Sequence, residues 1–110
     1  MTYYDVYIGE LGHDGGLDWG GTHSGNIPAR TSPFFPKAGA AEDPYRVAVN
    51  WIETGKLKGC KTDWGAWAAE AGIDDIAAFL QAVYGGVPAE LRAFVEGLAP
   101  RRYALVACET

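Results

Sequence analysis

The chain carries a strand-forming run near each of its ends. Residues 3–8 (YYDVYI) and 103–108 (YALVAC) are aromatic or apolar except for Asp5 and include β-branched side chains, a composition typical of strands. Helical patterns occupy much of the sequence between them. Two terminal strands with helices between them indicate one sheet whose strands meet in space although they lie far apart in sequence.

Start and stop signals in the second half predict short helices. Acidic N-caps, proline at the first helical position and glycine at the end are the usual signals. They predict four helices, which run from Asp43 to Gly55, from Asp63 to Gly72, from Asp74 to Gly85 and from Pro88 to Pro100. Two apolar stripes at helical spacing are expected to be buried, namely Ile76, Phe79, Leu80 and Val83, and Leu91, Phe94, Val95 and Leu98.

The length of 110 residues is that of one domain, with enough chain for one core. We therefore predict a single α+β domain over residues 1–110, with a small, mostly antiparallel sheet and three or four short helices on one face. The terminal strands are expected to be neighbours in that sheet. Residues 26–41 hold three prolines with Phe34 and Phe35, which predicts an extended segment that its phenylalanines attach to the core.

The charge balance favours a protein partner. Nine basic residues against fourteen acidic residues give a formal charge of −5. Such a balance opposes direct binding to nucleic acid and to anionic membranes, and it suits docking onto a basic protein surface. Residues 1–3 lack the features of a targeting signal, so a cytoplasmic location is expected. In that compartment Cys60 and Cys108 are expected to be free thiols.

The segment from Gly9 to Gly25 contains seven glycines and both histidines of the chain. His13, His23 and Asp18 are suitable metal ligands, but their spacing matches no metal motif, and solvated loop side chains are the simpler interpretation. An enzymatic alternative uses His23 as general base, Asp18 to orient it and Cys60 as nucleophile. That alternative requires these residues to converge in space. A protein that binds a ligand in this glycine-rich segment, without catalysis, is part of the same alternative.

Residues 64–81 have the spacing of a helix-turn-helix, with Gly72 at the turn. The second helix would begin with Asp74 and Asp75, where a DNA reader faces bases and phosphates. Because both carboxylates would meet a polyanion, we expect the turn to join two packed helices and not to bind DNA. The glycine-rich segment also lacks a phosphate-binding signature, and no cofactor is predicted.

Part of the first half resembles a known group of proteins. Residues 17–19 (LDW), 22–23 (TH), 32–35 (SPFF) and 37–39 (KAG) resemble a segment of small uncharacterised phage-type and actinobacterial proteins. The likeness covers about a quarter of the chain. It is interrupted by residues 25–30 (GNIPAR). The resemblance implies a mobile-element origin and no mechanism.

These observations predict a stoichiometric protein-binding inhibitor of the phage or mobile-element kind. Anti-CRISPR, other anti-defence and immunity proteins act in this way, by occupying a partner. The partner would present a basic surface, such as the nucleic-acid groove of a nuclease, and acidic groups would steer association. The residues predicted to bind it are two tryptophan anchors and four acids, namely Trp19, Trp64, Asp14, Asp63, Asp74 and Asp75.

Overall fold

The computed structural model describes residues 4–11, 31–61 and 65–109. These residues form four strands and three α-helices. In chain order the elements are β1 (Tyr4–Glu10), α1 (Pro44–Glu53), β2 (Gly59–Lys61), β3 (Trp67–Ala71), α2 (Ile73–Tyr84), α3 (Ala89–Glu96) and β4 (Tyr103–Glu109). The strands make one sheet in the order β1-β4-β3-β2, and every neighbouring pair is antiparallel. This is an α+β fold, as predicted. None of the helices in the described ranges is long and apolar enough to cross a membrane.

The last strand lies in the middle of the sheet. β4 pairs along its whole length with β1, from Tyr4 opposite Glu109 to Glu10 opposite Tyr103, which confirms that the terminal strands are neighbours. On its other side it pairs with β3. All five residues from Tyr103 to Ala107 are at most 4% exposed, so both faces of β4 are covered. A strand buried on both faces is apolar throughout and does not alternate, which explains the sequence YALVA.

The larger core lies between one face of the sheet and the helices. The strands contribute Val6, Ile8 and Leu105, each 1% exposed. The predicted stripe of α2 packs onto them, with Ile76, Phe79, Leu80 and Val83 all at most 1% exposed. Phe79 is at the centre of an aromatic group, and its ring centroid lies 5.4 Å from that of Phe35 and 5.5 Å from that of Trp51. The burial predicted for this stripe is confirmed.

The first helix follows its predicted signals. The Tyr45 N–H donates to the Asp43 carboxylate at 3.0 Å, and Pro44 occupies the first helical position. Beyond the helix, Gly55 has a φ of 81°, a left-handed conformation that glycine adopts at little cost. α1 therefore begins and ends as the sequence indicates.

The stripe predicted for the last helix is buried only in part. Leu91 is fully buried, whereas Phe94, Val95 and Leu98 are half-buried against the same core. The helix also ends earlier than expected, because α3 stops at Glu96 with Gly97 as its C-cap. Leu98 therefore follows the helix and does not lie on its face.

The predicted second helix is wrong over residues 67–71, which form β3. Alanine has the highest helix propensity, and its spacing here imitated a helical stripe. In the structure successive residues alternate between faces, because Ala69 and Ala71 join the core under the helices and Ala66 and Ala68 join a smaller core on the opposite face. Pairing with β4 supplies hydrogen-bond partners for the backbone of β3, and the spacing of apolar residues along the sequence does not show this pairing. A helix-turn-helix is excluded for the same reason.

The outer edge of β1 is covered by the proline-containing segment. The N–H groups of Ser32 and Phe35 donate to the carbonyls of Ile8 and Val6 at 3.2 and 2.9 Å. The Ser32 Oγ in turn accepts from the Ile8 N–H at 2.9 Å. Ser32 is 2% exposed, so this hydroxyl gives a buried backbone donor its partner. Within the described residues 31–41 the segment has neither helix nor strand, and Phe35 is 3% exposed, in agreement with the prediction of an extended, core-attached segment.

A second hydrogen bond attaches this segment to α2. The Tyr84 hydroxyl donates to the Pro36 carbonyl at 2.7 Å. Burial, with a smaller contribution from the negative charge of Glu90, raises the pKa of Tyr84 from 10.0 to about 12. The folded protein therefore holds this proton more tightly than the unfolded chain does.

Removal of the Phe79 ring should be severely destabilising. We expect Phe79→Ala to lower the free energy of unfolding by about 3–5 kcal/mol, because it opens a cavity between Phe35 and Trp51. Urea denaturation measures this loss. The exposed neighbour Ala78 offers a control, and Ala78→Ser should change stability by no more than about 0.5 kcal/mol. Equal losses in the two variants would contradict the assigned core.

Tyr84 should contribute to a loss of stability at high pH. Its stabilising contribution is complete below the unfolded pKa of 10.0 and is lost as the pH rises through the folded value of about 12. We expect Tyr84→Phe to show a shallower decline of the urea midpoint across this pH range than the wild type. Equally steep declines in both proteins would show that the Tyr84 proton is not linked to folding.

Candidate functional site

A surface cleft of about 460 Å³ lies where the start of α2 meets the loop that leads into β4. Seven residues line it, namely Gly72, Ile73, Asp74, Asp75, Pro100, Arg101 and Arg102. We call this the α2 cleft. It contains two of the six residues predicted to bind a partner, Asp74 and Asp75, and it brings them together with two arginines and the apolar side chain of Ile73.

The acidic side of the α2 cleft is the first turn of a helix. The sequence predicts Asp74 as the N-cap of α2, but the helix begins at Ile73 and its N-cap is Gly72. The Asp75 carboxylate reaches back and accepts the Gly72 N–H at 2.9 Å. A carboxylate there also interacts favourably with the positive end of the helix dipole. Asp75 therefore has a structural task, which weakens its assignment as a binding residue.

Tyr103 holds the basic side of the α2 cleft in place. Its hydroxyl donates to the Ala99 carbonyl at 2.9 Å and accepts from the Ala99 N–H at 3.0 Å, which closes the loop before β4. Because Tyr103 is itself buried in the central strand, the loop is fixed to the sheet. Arg101 and Arg102 are thus presented from a constrained backbone.

Both arginines make ion pairs with strand residues. Arg101 bonds to the Glu10 carboxylate at the end of β1. The Arg102 Nη2 lies 3.7 Å from the carboxylate of Glu70, whose side chain is only 12% exposed. The Arg101–Glu10 pair is exposed on both sides, and such a pair contributes little to stability, roughly 0–1 kcal/mol. The main consequence of both pairs is local, since part of the positive charge in the α2 cleft is already neutralised.

Asp74 and Ile73 remain exposed at the rim. Asp74 is exposed, and no ion pair joins it to another residue in the described ranges. Ile73 is 37% exposed, one of the few large apolar side chains at the surface of the described structure. In protein interfaces an apolar centre is bordered by a polar, solvent-accessible rim, and Ile73 beside Asp74 has this arrangement on a small scale. Ile73 and Asp74 are therefore the side chains of the α2 cleft that a partner could contact.

The other predicted binding residues cannot be placed against this site. Asp14, Trp19, Asp63 and Trp64 lie outside the described residues. The same holds for His13, Asp18 and His23 of the metal and enzyme alternatives. Within the described ranges, no three His, Cys, Asp or Glu side chains come together in a way that could hold a metal ion.

Cys60 lies in a strand. The sequence places Cys60 between two predicted helices, but Cys60 is the middle residue of β2, is half-buried and stands opposite Ala68. Cys108 is also half-buried, and both cysteines are free thiols. Burial, assisted by the nearby Asp5 carboxylate, raises the pKa of Cys108. The Cys108 thiol is therefore protonated at neutral pH, the less nucleophilic form.

Sequence reasoning missed the basic half of the α2 cleft. Arg101 and Arg102 directly precede the last strand, and two adjacent arginines were a visible signal. Their partners Glu10 and Glu70 come from other strands, so the ion pairs depend on the strand order. Comparison with protein-family models, with curated proteins and with solved structures finds no match.

The two aspartates of the α2 cleft should differ in their structural roles. We expect Asp75→Ala to lower the free energy of unfolding by about 1–2 kcal/mol, because the Gly72 N–H loses its acceptor. Asp74→Ala removes only an interaction with the helix dipole and should cost less than about 1 kcal/mol. Asp75→Asn keeps an acceptor and should recover part of the loss. Urea denaturation of the three variants tests the assignment, which fails if Asp74→Ala is the most damaging.

Proposed function

We propose that this protein is a stoichiometric inhibitor that binds another protein and occludes a basic surface on it. The observation that carries the proposal is the rim of the α2 cleft, where Ile73 and Asp74 are both exposed. Asp74 would meet a lysine or arginine of the partner, and Ile73 would pack beside that contact. The acidic balance of the chain, −5, supports a partner of opposite charge.

The α2 cleft suits a rigid contact. Asp75 fixes the first turn of α2, and Tyr103 fixes the opposite loop. A surface that is already ordered loses less conformational entropy when it binds. Arg101 and Arg102, which are paired with glutamates, would lie at the margin of the contact, where they would disfavour partners that present arginine or lysine there.

The class that we propose is that of anti-defence or immunity proteins, including anti-CRISPR proteins. Their targets are commonly nucleic-acid-binding enzymes, whose grooves are rich in lysine and arginine. The resemblance of residues 17–19, 22–23, 32–35 and 37–39 to a segment of small phage-type and actinobacterial proteins supports a mobile-element origin. Long-range attraction between opposite charges would speed association at low salt and would weaken as salt screens it.

Salt-dependent capture tests this function. The immobilised protein is exposed to a lysate of its source organism at about 50 mM salt, where electrostatic attraction is strong. We expect it to retain a nucleic-acid-binding protein in a 1:1 complex and to block the nucleic-acid binding of that protein. Asp74→Lys should weaken the purified complex at least about tenfold, which corresponds to 1.4 kcal/mol.

Glu96→Lys provides the matched control. It makes the same change of charge on an exposed residue at the end of α3, outside the α2 cleft. We expect it to leave the affinity within about threefold of the wild type, since it retains the specific contact and alters only the overall charge. Equal weakening by Asp74→Lys and Glu96→Lys would reject the α2 cleft as the contact. Failure to retain any nucleic-acid-binding protein would reject the inhibitor function.

A further inference from the structure

The two edges of the sheet differ. At one edge β1 is covered by residues 31–35, which bond to the carbonyls of Val6 and Ile8. The other edge is β2, the three-residue strand Gly59–Lys61, and we call its outward side the β2 edge. Within the described residues, no backbone hydrogen bond from another element reaches the β2 edge. An uncovered edge presents backbone groups to which another strand can bind.

The hydrogen-bond register shows which groups the β2 edge presents. The Glu70 N–H donates to the Lys58 carbonyl at 3.0 Å, and Cys60 stands opposite Ala68 two residues further along. In an antiparallel ladder, alternate residues bond to the partner strand and the residues between them point away. Gly59 and Lys61 therefore direct their N–H and C=O groups outward, away from β3.

Two lysines at this edge are held in place by tryptophans. The Lys56 Nζ lies 3.9 Å from the centroid of the Trp51 ring, and the Lys61 Nζ lies 5.8 Å from that of Trp67. Cation–π contacts at these distances restrict the ammonium groups, so a ligand would order them at a lower entropic cost. The stretch from Thr54 to Lys61 contains three lysines and no acid, although the chain as a whole is acidic. The β2 edge is therefore locally basic.

We propose that the β2 edge binds an extended acidic segment of a partner protein by strand addition. The outward groups of Gly59 and Lys61 would bond to the backbone of the segment, and its carboxylates would meet the ammonium groups of Lys56 and Lys61. Peptides commonly bind to exposed sheet edges in this way, with affinity from the backbone and specificity from the side chains. A second copy of this chain fits less well, because pairing β2 with itself would bring lysines together.

Gly59 limits the variants that can test the proposal. A Cβ at this position would lie 2.2 Å from the Ala68 oxygen and 2.7 Å from the Ala69 Cβ, so any substitution disturbs the pairing of β2 with β3. Lys61 is the better position, because its N–H points away from β3. Lys61→Pro removes an outward donor, and proline is tolerated at strand edges where the N–H faces solvent.

A short synthetic peptide in which Glu and Val alternate is the probe. We expect its addition to the ¹⁵N-labelled protein to shift the amide resonances of Gly59 and Lys61 in a saturable manner. The double variant Lys56→Glu with Lys61→Glu should weaken binding at least about tenfold, and the same should hold for a peptide with Gln in place of Glu. Lys37→Glu with Arg92→Glu, which reverses two exposed charges outside residues 54–61, is the matched control and should bind normally within about threefold.

Changes in the peptide separate strand addition from simple charge attraction. A peptide in which every amide is N-methylated has no N–H to donate along either of its edges, and we expect it to lose binding although its charge is unchanged. This comparison changes only the peptide, so it does not depend on whether the Lys61→Pro variant folds. Binding that survives N-methylation, binding of the Gln peptide at full strength, shifts confined to other residues, or self-association through β2 would each overturn the proposal. β2 does not line the α2 cleft, so these outcomes leave the inhibitor function untouched.

Discussion

The antiparallel pairing of β1 with β4 joins the two ends of the chain and determines where the other elements pack. Seven residue pairs align the strands, and β4 then offers its free side to β3. Because β4 is buried on both faces, the sheet separates a large core under the helices from a smaller core on the other side. Packing of α2 around Phe79 and covering of the β1 edge by Ser32 both depend on this arrangement.

Several charged groups of the α2 cleft have structural partners. Glu10 and Glu70 pair with the two arginines, and Asp75 binds the backbone at the start of α2. Asp74 lies beside them and makes no such contact with the described residues. Charged groups that already have partners gain less from a new contact than an available carboxylate does. This difference is the physical reason to assign Asp74 the leading role in binding.

The two edges of the sheet are protected from uncontrolled pairing with other chains in different ways. β1 is shielded by a segment whose Pro33 has no N–H, whereas β2 is short and bordered by lysines. Short, lysine-bordered edges also resist uncontrolled pairing with other chains. The same lysines allow selective pairing, because an acidic strand neutralises the charge that repels other strands. Protection from aggregation and recognition of an acidic segment are therefore compatible at β2.

The sequence by itself determined the elements whose signals are local. Terminal strands, the capped α1 and the stripe of α2 followed from residue type and spacing, because burial on one face imposes a fixed period. Only the tertiary structure decided that residues 67–71 form a strand, since alanine by itself favours a helix and pairing with β4 overrode that preference. In the α2 cleft, sequence singled out Asp74 and Asp75. That Asp75 caps the helix depended on where β3 ends and α2 begins, and that two arginines face the aspartates depended on contacts between distant strands.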